Sequence, residues 1–377
     1  MPRIETLIDA YVDANIILII GFLVWSLGRA TLNRTRFGQD HLLHLRLTEG
    51  MILAAIISPI LAALLARAGA VFFPGISLSA ADIALAQFLN GHVAMKAQDF
   101  EAVLTARQAF IADLVRLDTW QMQGLAAVLG AGFLWRCAHT LRDMARLRRL
   151  ISSSYLWRRF GRLDLRLSDA TDVPFSTRGL TRRHIVIPSG MLAMPDELRI
   201  ALAHEIQHMR RKDTEWEVAL VVLAPVFFLN PVYHWWKRGL EQLRELACDQ
   251  VLLNRARVTP RAYAECLLTV SGLRASRAMA GQYNLITPRV PFLNFGGPAR
   301  RNRQALVQRI TAMTDHRAAP ALRPALIWPM LVAGGFVLAL GTAALQRPGD
   351  WSQDRLMLST IVNLERLETR NAGLGQR

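Results

Sequence analysis

Five apolar runs interrupt the chain, and they differ in kind. Ile16–Leu27 (IILIIGFLVWSL), Met51–Phe73, Trp120 to about Leu141 and Pro324–Leu345 carry very little charge. Each approaches, or with its neighbours reaches, the roughly twenty residues that a helix needs to cross a bilayer. Spans are therefore expected at about 11–29, 51–73, 120–141 and 324–346. The fifth run, Val218–Trp236, is broken by Pro225 and Pro231 into pieces too short to cross, and predicts a hairpin that dips into the membrane and returns. A different pattern occupies Asp196–Asp213, where Leu198, Leu202, Ile206 and Met209 recur at helical steps and no Gly or Pro intervenes. Pro195 and the acids Asp196 and Glu197 give this amphipathic helix its start signal. Strand-like pieces are confined to Leu163–Ser168, Pro174–Ser176 and His184–Ile187. The last of these ends in Pro188, just before the helix. It reads either as a short edge strand able to take an extended substrate or as a strand used only for packing.

Charge assigns faces to these elements. The net charge is +16, and Arg142–Arg323 holds 30 Lys+Arg against 15 Asp+Glu, so nearly all of the excess lies in one block between apolar runs. A basic block placed this way is expected on the cytosolic face, with anionic lipid as counter-charge. Direct nucleic-acid binding is not expected, because no basic face with base-stacking or groove-reading partners can be identified. Arg29, Arg34, Arg36 and Arg46 place 28–50 inside, and Pro74–Thr119, with three Lys/Arg against five acids, reads as an outer loop with helices at Ala80–Asn90 and Gln98–Leu117. The expected organisation is then a membrane part over 1–141 containing the outer loop 74–119, a cytosolic domain over 142–323, a fourth span over 324–346 and a short outer tail over 347–377. Leu356–Arg370 in the tail reads as an amphipathic helix lying on the membrane. Cys137, Cys248 and Cys266 show no C-x-x-C spacing and read as buried, inert thiols.

The chemistry is concentrated in ALAHEIQHMRRKD, residues 201–213. His204 and His208 lie one turn apart on one helix face, so both imidazoles can reach one cation. Glu205 is placed to take a proton from an attacking water. Two histidines leave a catalytic zinc short of a third protein ligand. Glu245, in EQLRELACDQVLL (residues 241–253), is the leading candidate by spacing, with Glu241, His234 and Asp249 as competitors. Asp249, one turn after Glu245, could instead orient a ligand histidine from behind. Tyr233, His234 and Arg244 are the candidates for stabilising an oxyanion, and spacing does not choose among them.

Taken together, PF…GL…IVIP (from Pro174 through Pro188), LAHEIQHMRRKD, FLNPVYHWW and ELACDQVLL resemble the BlaR/MecR family of bacterial membrane metalloproteases, signal transducers of the gluzincin class. The resemblance is strongest over about 140–320. It implies an α-helical membrane protein with four transmembrane helices and a cytosolic, mainly α (α+β) zinc metalloprotease domain. In it His204, His208 and Glu245 would hold one Zn2+ and Glu205 would be the general base. It further implies a bacterial inner-membrane location with both termini periplasmic, and cleavage of a cytosolic repressor, often after autoprocessing. Ala275–Arg300, rich in Gly, Pro and Arg, is a conceivable autoprocessing loop beside its plainer reading as a linker. Antibiotic-sensing members carry a penicillin-binding sensor domain after the fourth span; with about thirty residues following it here, acyl-serine sensing of beta-lactams is not expected.

The expected function is zinc-dependent endopeptidase activity on a cytosolic or membrane-associated protein in transmembrane signalling. The expected partners are a protein or peptide substrate, a repressor and the lipid bilayer, with a homo-oligomer left open. Two rival readings remain. One is a zinc-binding membrane scaffold without turnover, against which Glu205 stands. The other is a small transporter, against which the nearly uncharged spans stand.

Overall fold

The computed structural model describes residues 2–35, 37–72, 85, 87–90, 92, 95–179, 181–255, 258–279, 299–314, 324–345, 357–364 and 367. Long helices open the chain: α1 (Pro2–Asn33), α2 (His41–Phe72), α3 (Ala97–Arg116) and α4 (Trp120–Ser153). A four-stranded sheet follows, with β1 (Tyr155–Phe160), β2 (Leu163–Ser168), β3 (Phe175–Arg178) and β4 (Arg183–Pro188). After the sheet the described residues form the helices α5 (Pro195–Arg211), α6 (Asp213–Leu223), α7 (Pro231–Asn254), α8 (Pro260–Met279), α9 (Ala299–Thr314) and α10 (Pro324–Leu345). Two compact units emerge, one of residues 1–25, 50–130 and 328–377, the other of residues 26–49 and 131–327.

In the first unit, helices pack through small residues. A Cβ at Gly50 would collide with the Leu331 side chain, and one at Gly334 would lie 2.5 Å from Met51 Sδ. Glycine at these positions therefore sets how closely α2 and α10 approach. Arg107 of α3 pairs with Asp9 and Asp13 of α1, at 3.2 and 2.7 Å. On α10, Trp328, Val332 and Phe336 form an exposed apolar row at four-residue steps. In the tail, residues 357–364 are helical; Leu358 and Val362 are buried with Leu85, Ala97 and Phe100, while Met357, Ile361 and Leu364 are exposed. The expected helix at Ala80–Asn90 falls largely outside the described residues.

Among the described residues, two helical segments, Leu7–Asn33 and His41–Ser58, are long and apolar enough to cross a membrane, and Ile327–Thr342 is a shorter apolar helix. α2 begins ten residues before the expected second span. α4 runs unbroken past the expected end of the third span to Ser153.

The second unit is built on the sheet, in the order β1-β2-β4-β3. β1 and β2 form an antiparallel hairpin turning at Gly161, whose φ of +57° suits glycine. β4 lies parallel to β2 and antiparallel to β3. The edge-strand reading of His184–Ile187 is therefore overturned: both sides of β4 are already hydrogen-bonded, and Ile185, Val186 and Ile187 are core residues. β1 escapes the sequence pattern because all six of its residues are exposed, so no alternation marks it.

α5 lies against this sheet. Ala201 and Met209 are buried with Leu165, Ile185, Ile187 and Met191, and Leu198, Leu202 and Ile206 pack around them. At about 25 cal/mol per Å2 of apolar surface, each fully buried aliphatic side chain contributes roughly 1.5–3 kcal/mol. That is enough to fix which face of α5 looks away from the sheet. A second cluster, Leu252, Leu253, Tyr263 and Met313 with Ile200 and Ala203, holds α7, α8 and α9 against α5. The apolar segment 218–236 is not a single helix. α6 ends at Leu223, a turn contains Pro225, and α7 opens with Pro231 at its first position and Asn230 Oδ1 accepting from the Val232 and Tyr233 amides.

Candidate metal centre

α5 starts with Pro195 and carries Asp196 and Glu197 in its first turn; it ends on Lys212, which adopts a left-handed conformation (φ 61°) and donates its N–H to the last carbonyls. With one face of α5 taken by the sheet, His204, Glu205 and His208 are buried on another, at 8, 6 and 9 % exposure. The left-handed residue turns the chain at once into α6, bringing Asp213 back beneath the helix end. Asp213 Oδ2 lies 2.8 Å from His208 Nδ1. A carboxylate can only accept there, so the Nδ1 of His208 carries the proton and Nε2 presents its lone pair.

His204 is fixed by a longer chain of contacts. Its Nδ1 is 2.7 Å from the Tyr263 hydroxyl, which donates to Asp249 Oδ1 at 2.5 Å. Because the tyrosine proton is committed to Asp249, its oxygen accepts from His204 Nδ1–H, and Nε2 again presents a lone pair. The two Nε2 atoms are 3.1 Å apart. Glu245, on α7, completes the group: Oε2 is 3.4 Å from His204 Nε2 and Oε1 is 3.5 Å from His208 Nε2.

Two imidazole lone pairs and a carboxylate thus point at one another, which is unfavourable unless a cation lies among them. Two ligands about 2.1 Å from one ion at a tetrahedral angle lie about 3.4 Å apart. The three separations here, 3.1, 3.4 and 3.5 Å, match that requirement. Nitrogen and carboxylate donors of this kind suit zinc. The group also meets the demand of charge, since Asp213, Glu245 and Asp249 outnumber the guanidiniums beside them, Arg211 and Arg309. Burial favours the neutral acid at Glu245, but Arg309 and both histidines outweigh it and hold the carboxyl well below its usual range. At His208 burial opposes the charged imidazole, yet Cys248, Asp213 and Glu245 together hold its pKa well above the ordinary value.

A model of the BlaR1 peptidase M56 family matches residues 10–290, well over half of the sequence. The chain belongs to this family. Among individual proteins, Regulatory protein BlaR1 of Bacillus licheniformis is 28% identical over 143 residues, which is 35% of this chain and 24% of that protein. The chain therefore matches only about a quarter of that relative's length.

The structure brings His204, His208, Glu245 and Asp249 together, with Glu205 buried on the helix of the two histidines, and the oxyanion candidates have partners outside this group. Tyr233 donates to the Leu220 carbonyl, His234 Nε2 lies 3.2 Å from the Phe228 carbonyl, and Arg244 donates to Glu217 Oε2 at 3.0 Å. Of the competing third ligands, Glu241 is held by Lys237. Four residues around the site carry no signal of their own in the sequence. Asp213 belongs to the HExxH stretch but gains its contact only through the turn at Lys212. Tyr263 and Arg309 come from distant helices. Cys248, one of the thiols expected to be inert, lies 3.3 Å from His208 Nδ1.

Proposed function

We propose that the chain is an integral membrane zinc metalloendopeptidase that cleaves a cytosolic or membrane-associated protein, and that it works as a regulator, as the name of its Bacillus licheniformis relative suggests for that protein. The observation that carries this reading is the convergence of His204, His208 and Glu245 on one point, with Glu205 on the helix between the two imidazoles. His204, His208 and Glu245 would hold the ion. A bound zinc supplies Lewis-acid polarisation of the scissile carbonyl and makes water acidic enough to attack near neutral pH. Glu205 accepts the proton of the attacking water and returns it to the leaving amine. Asp213 holds His208, and Tyr263 with Asp249 holds His204, each in the tautomer that offers Nε2.

In this reading four spans, 11–29, 51–73, 120–141 and 324–346, leave both termini periplasmic and the domain 142–323 in the cytosol. The turn between α6 and α7 would dip into the lipid. The basic excess of 142–323 supports that side. A transcriptional repressor, or the chain itself, would be the protein cut.

The test is to express the wild type and Glu205→Gln side by side and compare the peptides that appear and disappear, including fragments of the protein itself. Glu205→Gln is expected to keep zinc and fold while cleavage falls at least about 100-fold, the scale of a lost general base. Cleavage at the wild-type rate in that variant would refute the assignment.

A further inference from the structure

Arg309 lies outside every motif in the chain, yet its guanidinium meets three side chains at the candidate metal centre. It projects from α9, and its side chain is 15 % exposed. Nε donates to Asp249 Oδ2 and NH2 to Asp249 Oδ1, both at 2.7 Å, the parallel fork that only arginine can form. Its remaining nitrogen, NH1, lies 2.9 Å from Glu245 Oε2. NH2 also reaches the Tyr263 hydroxyl at 3.4 Å. One side chain therefore touches the third candidate ligand, the acid behind His204 and the hydroxyl between them.

We propose that Arg309 is the positioning residue of the metal centre: it holds Glu245 and Asp249 in place and, through Asp249 and Tyr263, the ring of His204. The inference rests on the zinc-site reading above. Glu245 and Asp249 are one turn apart on α7, where like charges repel, and Asp249 is buried at 3 % exposure. A positive charge between them removes that repulsion without using the lone pairs of the imidazoles. The fork also fixes where both Asp249 oxygens lie. Asp249 Oδ1 takes the tyrosine proton, which leaves the tyrosine oxygen to accept from His204 Nδ1–H. Arg309 holds Glu245 through Oε2 alone. Removing the guanidinium would free the Glu245 carboxylate to rotate and Asp249 to turn from Tyr263, so two of the three candidate ligands would lose their orientation together.

The opposite role is equally concrete, because Arg309 and a cation both attract Glu245. If Arg309 acted as a competing plug, its removal would tighten metal binding. If it were only an ion pair tying α9 to α7, its removal would lower stability and leave metal affinity alone. The experiment measures zinc affinity of the full chain in detergent by competition with a chromophoric chelator, for wild type, Arg309→Ala, Arg309→Lys and Asp249→Ala, alongside thermal unfolding of each zinc-free protein. A wild type that takes up no zinc ends the metal-site reading itself. One that binds zinc without cleaving anything sinks the hydrolase reading and leaves this comparison intact. Arg309→Ala is expected to weaken zinc binding about 10–100-fold, with Arg309→Lys falling between, since a point charge cannot hold both carboxylates. Arg309→Ala combined with Asp249→Ala should cost less than the two losses multiplied. Should Arg309→Ala fail to fold, Arg309→Lys carries the test alone, with an expected loss of roughly tenfold. Zinc affinity within twofold of wild type, or tighter, in the folded variants would overturn the proposal, whatever happens to the unfolding temperature.

Discussion

Asp213 Oδ2 lies 2.8 Å from His208 Nδ1, although a single residue, Lys212, separates Asp213 from the helix that carries His208. The contact exists because the chain reverses direction at a left-handed residue. On a continuous helix, a residue five positions on would face away. Asp213→Ala should remove the acceptor that fixes the His208 tautomer and weaken zinc binding about 10–100-fold. Asp213→Asn, which keeps an acceptor but loses the charge, should lose less. Zinc competition on the two purified variants checks both the direction and the order.

The turn itself is testable apart from the carboxylate. Lys212 holds φ at 61°, a conformation that costs an ordinary L-residue roughly 1–2 kcal/mol. Lys212→Gly should therefore leave stability within about 1 kcal/mol of wild type, relief of strain being offset by greater freedom of the unfolded chain. Lys212→Val, branched at Cβ, should destabilise by at least about 1 kcal/mol and weaken zinc binding as well, because Asp213 moves with the turn. Denaturant unfolding followed with and without zinc separates the two effects.

A site made of facing acceptors is destabilising when empty of positive charge. Chelation should lower the unfolding temperature of the wild type, and restoring zinc to 100 times its dissociation constant should return about 2.7 kcal/mol. Glu245→Ala should abolish most of that response. The check is a thermal melt of wild type and variant across a zinc titration, and an equal zinc-dependent shift in both would remove Glu245 from the ligand set.

Acid should act through a different carboxylate. Glu215, at the start of α6, accepts from Arg183 of β4 at 2.5 Å and Thr214 at 2.8 Å, and lies 3.1 Å from Arg178 of β3. Partial burial pushes its pKa up, but the Thr214 hydroxyl and Arg183 outweigh it and leave it lowered from 4.5. A depressed carboxylate pKa means that stability is fully present above the unfolded value and is lost as pH falls from there through the folded value. Unfolding free energy should thus decline below about pH 4.5, and Glu215→Gln should flatten that decline by on the order of 1 kcal/mol, since the arginines are partly solvated. Urea titrations at pH 6 and pH 4 on the two proteins make the comparison.

Legibility in the sequence followed the range of the interactions. The helix of Leu198, Leu202, Ile206 and Met209 could be read directly, because a 3.6-residue period belongs to the backbone. His204 and His208 could be paired for the same reason. The strands β2, β3 and β4 are also visible, but not their order, since pairing β2 with β4 across β3 is a matter of packing. That is why the sequence leaves His184–Ile187 open between an edge strand and a packing strand, and the structure places it inside the sheet. Tyr233, His234 and Arg244 were attractive by proximity to Glu245 along the chain. Tertiary packing instead gives their polar groups other partners: Leu220 and Glu217 of α6 for Tyr233 and Arg244, and Phe228 of the turn after α6 for His234.

What the sequence determined by itself is local: where apolar runs lie, which residues share a helix face, and that two imidazoles and an acid stand one turn apart. Tertiary structure alone decided which side chains stand behind them. Asp213 arrives through a reversal at Lys212, Tyr263 through the packing of α8, and Arg309 through that of α9. No periodicity connects Arg309 to Glu245 or Tyr263 to His204, because their contacts arise from burying separate apolar faces in one core. The pairing of the two imidazoles is therefore written in the spacing of the chain, and what stands around them in the way the core closes.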